Sequence, residues 1–492
     1  MTAVPSYPGF LKTKEGEAAG GALHCPVSWH AIHSPDLIFS LGPDGRRVSY
    51  LELEGLIGDV SRRMESHRAE ILGLLGWNSV SLAAAVLAGL RTGKSTFLMS
   101  PRHPSEQVQR YLDSVGADRF ELTGVGGDPK AAANQAFLSS ASTMMLTSGS
   151  TGTPKIARHS ARSHLASAES VNEILKTSPG DNWMWSLPAF HIGGLAILWR
   201  VIVAGACIQI VDRDRGLGEQ IREAPPTIMS VVPTQLRRLI DTNLKCPEEL
   251  RNVIVGGARI SPRLIEHALD LGYPVRTTFG MTETSSMISL SEIWSADQLQ
   301  SPASDGVPAT PSVHSPLSQL VHAGRLFPCV EAKTDEHDIL RVKGPLVFEG
   351  YVDESRPATE WWKTQDRVSI SDDGVVVPLS RVDDMIISGG ENIDPTEIEN
   401  ALGRIPSVRS SRVLGIEDAR FGERPVAFVD VDGELPSNDW FKGRLSRILP
   451  SHSIPDHFMS FPERNEGGLK QTKDQLRARA IIQIATTEKN TP

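Results

Sequence analysis

Between the N-terminus and Ser380, short apolar runs of strand length alternate with stretches whose apolar positions recur at helical spacing. That alternation is the signature of βαβ units and a mostly parallel sheet. The turn from Gly42 to Arg47 leads into a strand at Val48–Leu51 and then a helix running through Arg63. Further units run from Trp183 to Ile210 and from Ile228 to Ile240. The Ala-rich apolar run Val80–Leu90 is far short of the ~20 residues that span a bilayer, so a buried helix is predicted there. Ser291–His322 is rich in Ser, Pro and Ala with weak periodicity, which predicts a loop-rich connection. The β-rich stretches Arg341–Val352 and Asp372–Leu379 predict a small barrel or meander. The pattern changes at Ser380–Asp384. Beyond it come strands at Val408–Ile416 and Pro425–Asp430 and helices at Pro395–Leu402 and Asn438–Arg447, enough for a small α+β domain.

Composition narrows the reading. The chain has 492 residues, long enough for two or three domains, and its 40% hydrophobic and 22% charged residues are ordinary for a soluble globular protein. A net charge of −9 argues against a general nucleic-acid binder but leaves room for a basic pocket that takes small anions. Cys25, Cys207, Cys246 and Cys329 show no C-x-x-C spacing, so buried free thiols are expected rather than zinc or a disulfide framework. The first residues lack a basic segment followed by an apolar one, which points to the cytoplasm.

Four segments carry candidate chemistry. In Thr143–Lys155 an apolar strand runs into Thr147, Ser148, Gly149, Ser150, Thr151 and Gly152, closed by Pro154 and Lys155. Small hydroxyl and glycine residues let backbone N–H groups converge on phosphate oxygens, and Lys155 adds a point charge. The nearby Gly89–Ser95 looks like a Walker A loop but has three residues between its glycines where four are required, so it reads as a helix end and turn. In Thr277–Ser286, Gly280 permits a tight turn and Thr282 and Glu283 offer a hydroxyl and a carboxylate. Glu283 suits Mg²⁺, although such a pair after a strand is also a common helix cap. In Arg381–Leu402, Gly389 and Gly390 invite close approach of a ligand or backbone, and Asp394-Pro395 starts a capped helix. Near the C-terminus, Lys470 follows two glycines and Leu469.

In this order, the four segments resemble the adenylate-forming superfamily of acyl-CoA synthetases, peptide-synthetase adenylation domains and luciferases. The resemblance implies an α/β fold: a large N-terminal domain (1–380) of two doubly wound α/β subdomains plus a distorted β-barrel, and a small mobile α+β C-terminal domain (381–492). It implies ATP, Mg²⁺ and coenzyme A as cofactor and co-substrates. The Thr/Ser/Gly loop with Lys155 would hold phosphates, and Gly256, Gly257 and Ala258 with Thr278, Phe279 and Gly280 would flank the nucleotide. Thr282 and Glu283 would bind phosphate and metal. Asp366 and Arg381 match the ribose-binding positions, Asp383 the hinge, Gly389 and Gly390 the thiol channel, and Lys470 the catalytic lysine, with Lys473 as its alternative. Phe279 stands where Tyr is commoner, and Ser380 where Gly is.

Asp181–Arg200, with Ser230–Leu239 and His159–Ala168, further resembles the o-succinylbenzoate–CoA ligases of menaquinone biosynthesis. That substrate is an aromatic keto acid with one activated and one spectator carboxylate. The resemblance implies Arg200 as the cation for the spectator group, Ser230 beside it, and Phe190 and His191 walling the acyl pocket. A ligase for another aryl or medium-chain acid and an inactive nucleotide-binding regulatory protein remain alternatives, and homodimerisation is open.

Overall fold

The computed structural model describes residues 7–9, 23–122, 136–147, 154–300, 321–355, 360–389, 391–418, 420–462 and 473–489. Two large sheets dominate it. The first has seven strands in the order Glu354–Ser355, Gly350–Tyr351, Ile156–Ser160, Ser142–Leu146, Ser95–Met99, Ile71–Leu75, Asp118–Phe120. Its last four strands run parallel, and the first three pair antiparallel. The second has nine: Arg325–Leu326, Ser286–Leu290, Val275–Met281, Asn252–Val255, Ile228–Val231, Asn182–Trp185, Cys207–Ile210, Ile38–Leu41, Arg47–Ser49. It is parallel from Val275–Met281 through Ile38–Leu41 and antiparallel at both edges. The alternating pattern therefore reads correctly as two parallel α/β sheets.

One core joins them. Leu72, Leu74, Met145 and Ala157 from the first sheet share a cluster with Trp183, Trp185 and Ile208 from the second. The helix Ile192–Ala204 lies within that cluster, buried from Gly194 to Val203 and apolar throughout except for Arg200. The predicted helix at Val80 forms as Val80–Thr92, with Leu82 to Leu90 buried. It ends at Gly93, whose φ of 80° suits the left-handed cap. The Walker-like segment is thus a helix terminus. Near the N-terminus the strand stops earlier than the apolar pattern suggests: it spans Arg47–Ser49, and Tyr50 and Leu51 belong to the helix Tyr50–Glu65. The cause is local, because Ser49 and Glu52 cap that helix reciprocally.

Where a barrel or meander is expected, four antiparallel strands, Glu331–Thr334, Ile339–Lys343, Trp362–Ile370 and Val376–Arg381, form a half-barrel-like sheet, and Gly350–Tyr351 joins the first large sheet instead. After the short turn Val382–Asp384, a further sheet is built from Ile386–Ser388, Glu391–Ile393, Val408–Asp418, Gly422–Val431 and His457–Met459. It has its own core, including Ile398, Leu402, Ala427, Val429 and Phe441. The helix Pro395–Gly403 opens where the sequence places it, with Asp394 accepting from the Thr396 amide. Of the Ser291–His322 connection, Ala296–Gln300 is a short helix and residues 301–320 lie outside the described residues. All four cysteines are free, but only Cys25 is buried and the other three are half-buried. Among the described residues, no helix is long and apolar enough to cross a membrane.

Candidate active site

The site gathers where strands of both large sheets end. Strand Ser142–Leu146 delivers Thr147, whose amide and hydroxyl donate to the Lys155 carbonyl at 2.8 and 3.3 Å. The two ends of the Thr/Ser/Gly loop are therefore pinned together. Ser148, Gly149, Ser150, Thr151 and Gly152 lie outside the described residues. The Lys155 ammonium sits 4.6 Å from the centre of the Tyr351 ring, a cation–π distance. The Tyr351 hydroxyl in turn donates to Glu283 Oε1 at 2.7 Å. Burial, then the neighbouring Glu283 charge, push this phenol well above its ordinary range, so it remains a donor.

Glu283 rides on a clamped turn. Strand Val275–Met281 carries Thr278, Phe279 and Gly280 and bulges between the last two. A Cβ at Gly280 would stand 1.8 Å from the Ser286 carbonyl oxygen, so no side chain fits there. A single 3₁₀ turn, Thr282–Thr284, follows, and then Ser285 and Ser286 at φ 49° and 99°. Two consecutive left-handed serines are costly backbone, of the kind that persists where surrounding contacts hold it. Three such contacts are His159 Nε2 on the Thr282 carbonyl at 2.6 Å, the Phe348 amide on the Glu283 carbonyl at 2.9 Å, and Ser167 Oγ on the Ser285 carbonyl at 2.8 Å.

Gly256, Gly257 and Ala258 follow the neighbouring parallel strand Asn252–Val255. A Cβ on Gly256 would meet Thr278 Cγ2 at 2.5 Å, and Gly257 has a φ of 73°. The glycines thus let the loop lie directly over Thr278, at the carboxyl ends of parallel strands where open α/β sheets bind ligands.

From the half-barrel, Asp366 and Arg381 are paired across adjacent strands. Arg381 Nη1 reaches Asp366 at 3.2 and 3.3 Å, and its Nε and Nη2 form a fork on Asp383 at 2.9 and 3.1 Å. One guanidinium serves both carboxylates. Burial raises the Asp366 carboxyl from 3.8 to about 6 despite Arg381, with Asp383 and Glu283 pushing the same way. The folded chain then binds a proton there that the unfolded chain has lost, so stability falls as pH climbs from about 4 to about 6. At ~1.4 kcal/mol per pKa unit, the contribution is about 2–3 kcal/mol. Asp366→Asn removes this dependence. The melting temperature of the variant minus that of the native protein should rise across that window, and a flat difference would reject the assignment.

Arg200 projects from the buried helix Ile192–Ala204 and is 1% exposed. Its Nη2 donates to Ser286 Oγ at 3.2 Å, and its guanidinium lies 5.5 Å from the Trp183 ring centre. Its Nε has no hydrogen-bond partner, and among the described residues no carboxylate pairs with it. Burial lowers its pKa to about 9, which still leaves it charged at neutral pH. Ser230 is buried at the end of strand Ile228–Val231. Its carbonyl accepts from Ser186 Oγ, while its own hydroxyl has no partner. Phe190 packs edge-on against Trp77 at 5.5 Å and against His191 at 4.9 Å. His191 is exposed in this structure, yet the protein packed around its ring, and then His103, lower its pKa.

The structure therefore brings together Thr147, Lys155, Glu283 and Thr282, joins Gly256 to Thr278, and groups Asp366, Arg381 and Asp383. Gly389 instead lies in the C-terminal sheet at φ 61°, its amide donating to the Phe421 carbonyl at 2.7 Å. Gly390 and Lys470 lie outside the described residues. Lys473 is described, and its ammonium pairs with the Asp384 carboxylate. Tyr351, Ser286, Trp183 and Asp384 were not among the residues singled out from sequence. Only Tyr351 carried a visible signal, a phenol between Gly350 and Val352 in the β-rich stretch Arg341–Val352.

Among the described residues no group of three or more His, Cys, Asp or Glu could hold a metal by itself. Mg²⁺ needs no such cage: it takes one or two carboxylates, with phosphate oxygens and water completing the octahedron. Glu283, linked through Tyr351 to Lys155, is a carboxylate of the kind that requirement calls for.

The model of the AMP-binding enzyme family matches residues 121–352. The 2-succinylbenzoate–CoA ligase of Bacillus pumilus is 34% identical over 369 residues, 71% of each chain. The ligase of the same name from Escherichia coli is 30% identical over 424 residues, 82% of this chain and 86% of that one. Among solved structures, o-succinylbenzoate CoA synthetase from Bacillus subtilis in complex with the acyl-adenylate OSB-AMP superposes with a TM-score of 0.74 at 25% identity, covering 93% of this chain and 98% of that one. The same enzyme with ATP and magnesium ion also gives 0.74, at 24% identity and 93% and 99% coverage. On these identities and coverages, this chain belongs to the AMP-binding enzyme family, alongside the 2-succinylbenzoate–CoA ligases.

Proposed function

We propose that this protein is an AMP-forming acid–CoA ligase of the cytoplasm that joins o-succinylbenzoate to coenzyme A through an acyl-adenylate, a step of menaquinone biosynthesis. The observation that carries the substrate is Arg200: a buried guanidinium with no carboxylate partner among the described residues, bonded to Ser286 just beyond the Thr282–Thr284 turn. A buried cation of this kind is completed by an anionic ligand group, and a guanidinium binds a carboxylate with two parallel hydrogen bonds. Ser230, Phe190 and His191 would complete the acyl pocket.

The chemistry needs no protein nucleophile. The substrate carboxylate attacks the α-phosphorus of ATP and pyrophosphate leaves; the thiol of coenzyme A then displaces AMP from the acyl-adenylate. Thr147, the glycine loop and Lys155 hold the phosphates. Gly256 to Ala258, with Thr278 to Gly280, flank the base, and Asp366 and Arg381 hold the ribose. Glu283 would hold Mg²⁺, which neutralises phosphate charge when bound. Lys470 places a cation on the reacting carboxylate and α-phosphate. Incubating the protein with o-succinylbenzoate, ATP and coenzyme A should give the aryl-CoA thioester, AMP and pyrophosphate by mass spectrometry. Turnover of other aryl or medium-chain acids with none of this one would overturn the substrate, and absence of AMP with every acid would overturn the enzyme.

Residues 1–380 form the adenylating domain in this reading, and 381–492 form a mobile domain that turns at Asp383 to present Gly389 and Gly390 to the thiol. A rotation about φ of Asp383 carries its side chain away from Arg381 and opens the fork between them. Proline at 383 fixes φ near −65° and blocks the turn. Asp383→Pro should therefore damage thioester formation far more than adenylation in single-turnover assays. Asp383→Ala, which frees the fork without fixing φ, should spare both. Parallel loss of the two steps in the proline variant would remove Asp383 as the pivot.

A further inference from the structure

A buried histidine spans the two halves of the nucleotide site. His159 belongs to strand Ile156–Ser160, which leaves Lys155 and pairs antiparallel with the strand that leads into the phosphate loop, His159 opposite Thr143. Its ring reaches away from that sheet to the other motif, with Nε2 2.6 Å from the Thr282 carbonyl oxygen. A carbonyl can only accept, so this nitrogen carries the proton. The ring is fully buried, and burial holds its pKa down near 4, so the imidazole is neutral at working pH. On one side it stacks on His164 at 5.5 Å, which itself lies flat on Trp199 at 5.0 Å and bonds Thr143 Oγ1 at 2.6 Å. On the other side is Phe348, 6.3 Å away, whose amide holds the next carbonyl of the same turn, that of Glu283.

The turn it grips is one the sequence would not hold unaided, since Ser285 and Ser286 beyond it are both left-handed. Nor do the side chains of Thr282 and Glu283 supply the clamp. The Thr282 and Glu283 carbonyls are bound by His159 and Phe348, so the backbone is held without using the Thr282 hydroxyl, and among the described residues the Glu283 carboxylate is bound only through Oε1, to Tyr351. We propose that His159 is a positioning residue for adenylation: its imidazole, donating from Nε2 to the Thr282 carbonyl, ties the Thr282–Thr284 turn to the strand that begins next to Lys155, at the end of the Thr/Ser/Gly segment. The proposal rests on the acid–CoA ligase reading, because it needs that turn to meet MgATP.

The role concerns the first half-reaction alone, which separates it from a general packing role. His159→Met keeps much of the volume and cannot donate, whereas His159→Gln can present an amide N–H at about the position of Nε2. In His159→Met, ATP–pyrophosphate exchange should fall roughly 10–100-fold, the range seen when residues that orient a ligand holder are lost. Calorimetric affinity for MgATP should weaken with it. Thioester formation from pre-formed o-succinylbenzoyl adenylate should change less than about threefold, and His159→Gln should recover most of the exchange activity. Equal loss of both half-reactions, or no recovery with glutamine, would overturn the role.

A measurement on the native protein stands independently of how the variants fold. With histidine ¹⁵N-labelled and assigned through His159→Gln, the His159 ring should show the neutral Nε2–H tautomer, its proton slow to exchange, and should shift when MgATP is added. An Nδ1–H tautomer overturns the proposal. These outcomes differ from failure of the ligase reading itself, which would appear as absent AMP formation in the unmodified protein.

Discussion

Arg200→Ala should cost about 2–5 kcal/mol in kcat/KM for o-succinylbenzoate while leaving the KM for ATP nearly unchanged. The size follows from where the guanidinium sits. It is 1% exposed, its only polar contact among the described residues is Ser286 Oγ, and Trp183 covers one face. A spectator carboxylate entering that place would be stripped of water and held by a charge equally stripped. Deleting one partner of such a pair leaves the other desolvated and unpaired. Arg200→Lys should recover only part, since a point charge cannot replace the planar fork. An analogue lacking the spectator carboxylate should bind the native protein poorly and lose little more on mutation. The two acids on the two proteins make a double-mutant cycle, and a coupling energy near zero would show that Arg200 does not meet this carboxylate. The substrate would then revert to an unspecified aryl acid.

What could be read from the sequence was what depends on local pattern. Alternating apolar runs gave both parallel sheets, the all-apolar character of Val80–Leu90 gave its burial, and Asp394-Pro395 gave a helix start. The motifs pointed to glycines whose place in the fold requires them, because Gly256 and Gly280 answer to backbone crowding and Gly257 to a positive φ, which leave a trace in residue type. What stayed hidden was carried by partners far apart in the chain. Tyr351 bonds Glu283 across 68 positions and His159 bonds Thr282 across 123, and nothing in the residues around either one reports its partner. Ser285 and Ser286 hid for a different reason: their left-handed backbone is imposed from outside, at residues with no preference for it. Tyr50 and Leu51 were drawn into a strand by apolar character, where the Ser49–Glu52 cap decides for helix.

Lys470→Ala should reduce acyl-adenylate formation by roughly 10²–10³-fold or more, the effect of removing a donor aimed at developing charge, and should leave thioester formation from synthetic acyl-adenylate largely intact. The split arises because the cation is required while negative charge shifts between carboxylate, α-phosphate and departing pyrophosphate, and that demand is gone once the adenylate exists. Sequence alone left two lysines for this task, since Leu469 separates Lys470 from the glycines and Lys473 follows closely. The structure weighs against the second. The Lys473 ammonium is engaged by Asp384, whose side chain is 12% exposed and also faces Arg412 at 3.4 Å. To act on the acyl carboxylate, Lys473 would have to leave that carboxylate with only its longer contact to Arg412. Lys473→Ala should accordingly lower adenylation by less than about tenfold, as loss of an ion pair and not of a catalytic charge. Run side by side in pyrophosphate-release and adenylate-consumption assays, the two variants separate the roles. If Lys470→Ala forms adenylate at the native rate and Lys473→Ala does not, the catalytic cation is Lys473, and its pairing with Asp384 belongs to a state the enzyme must leave before it can activate the acid.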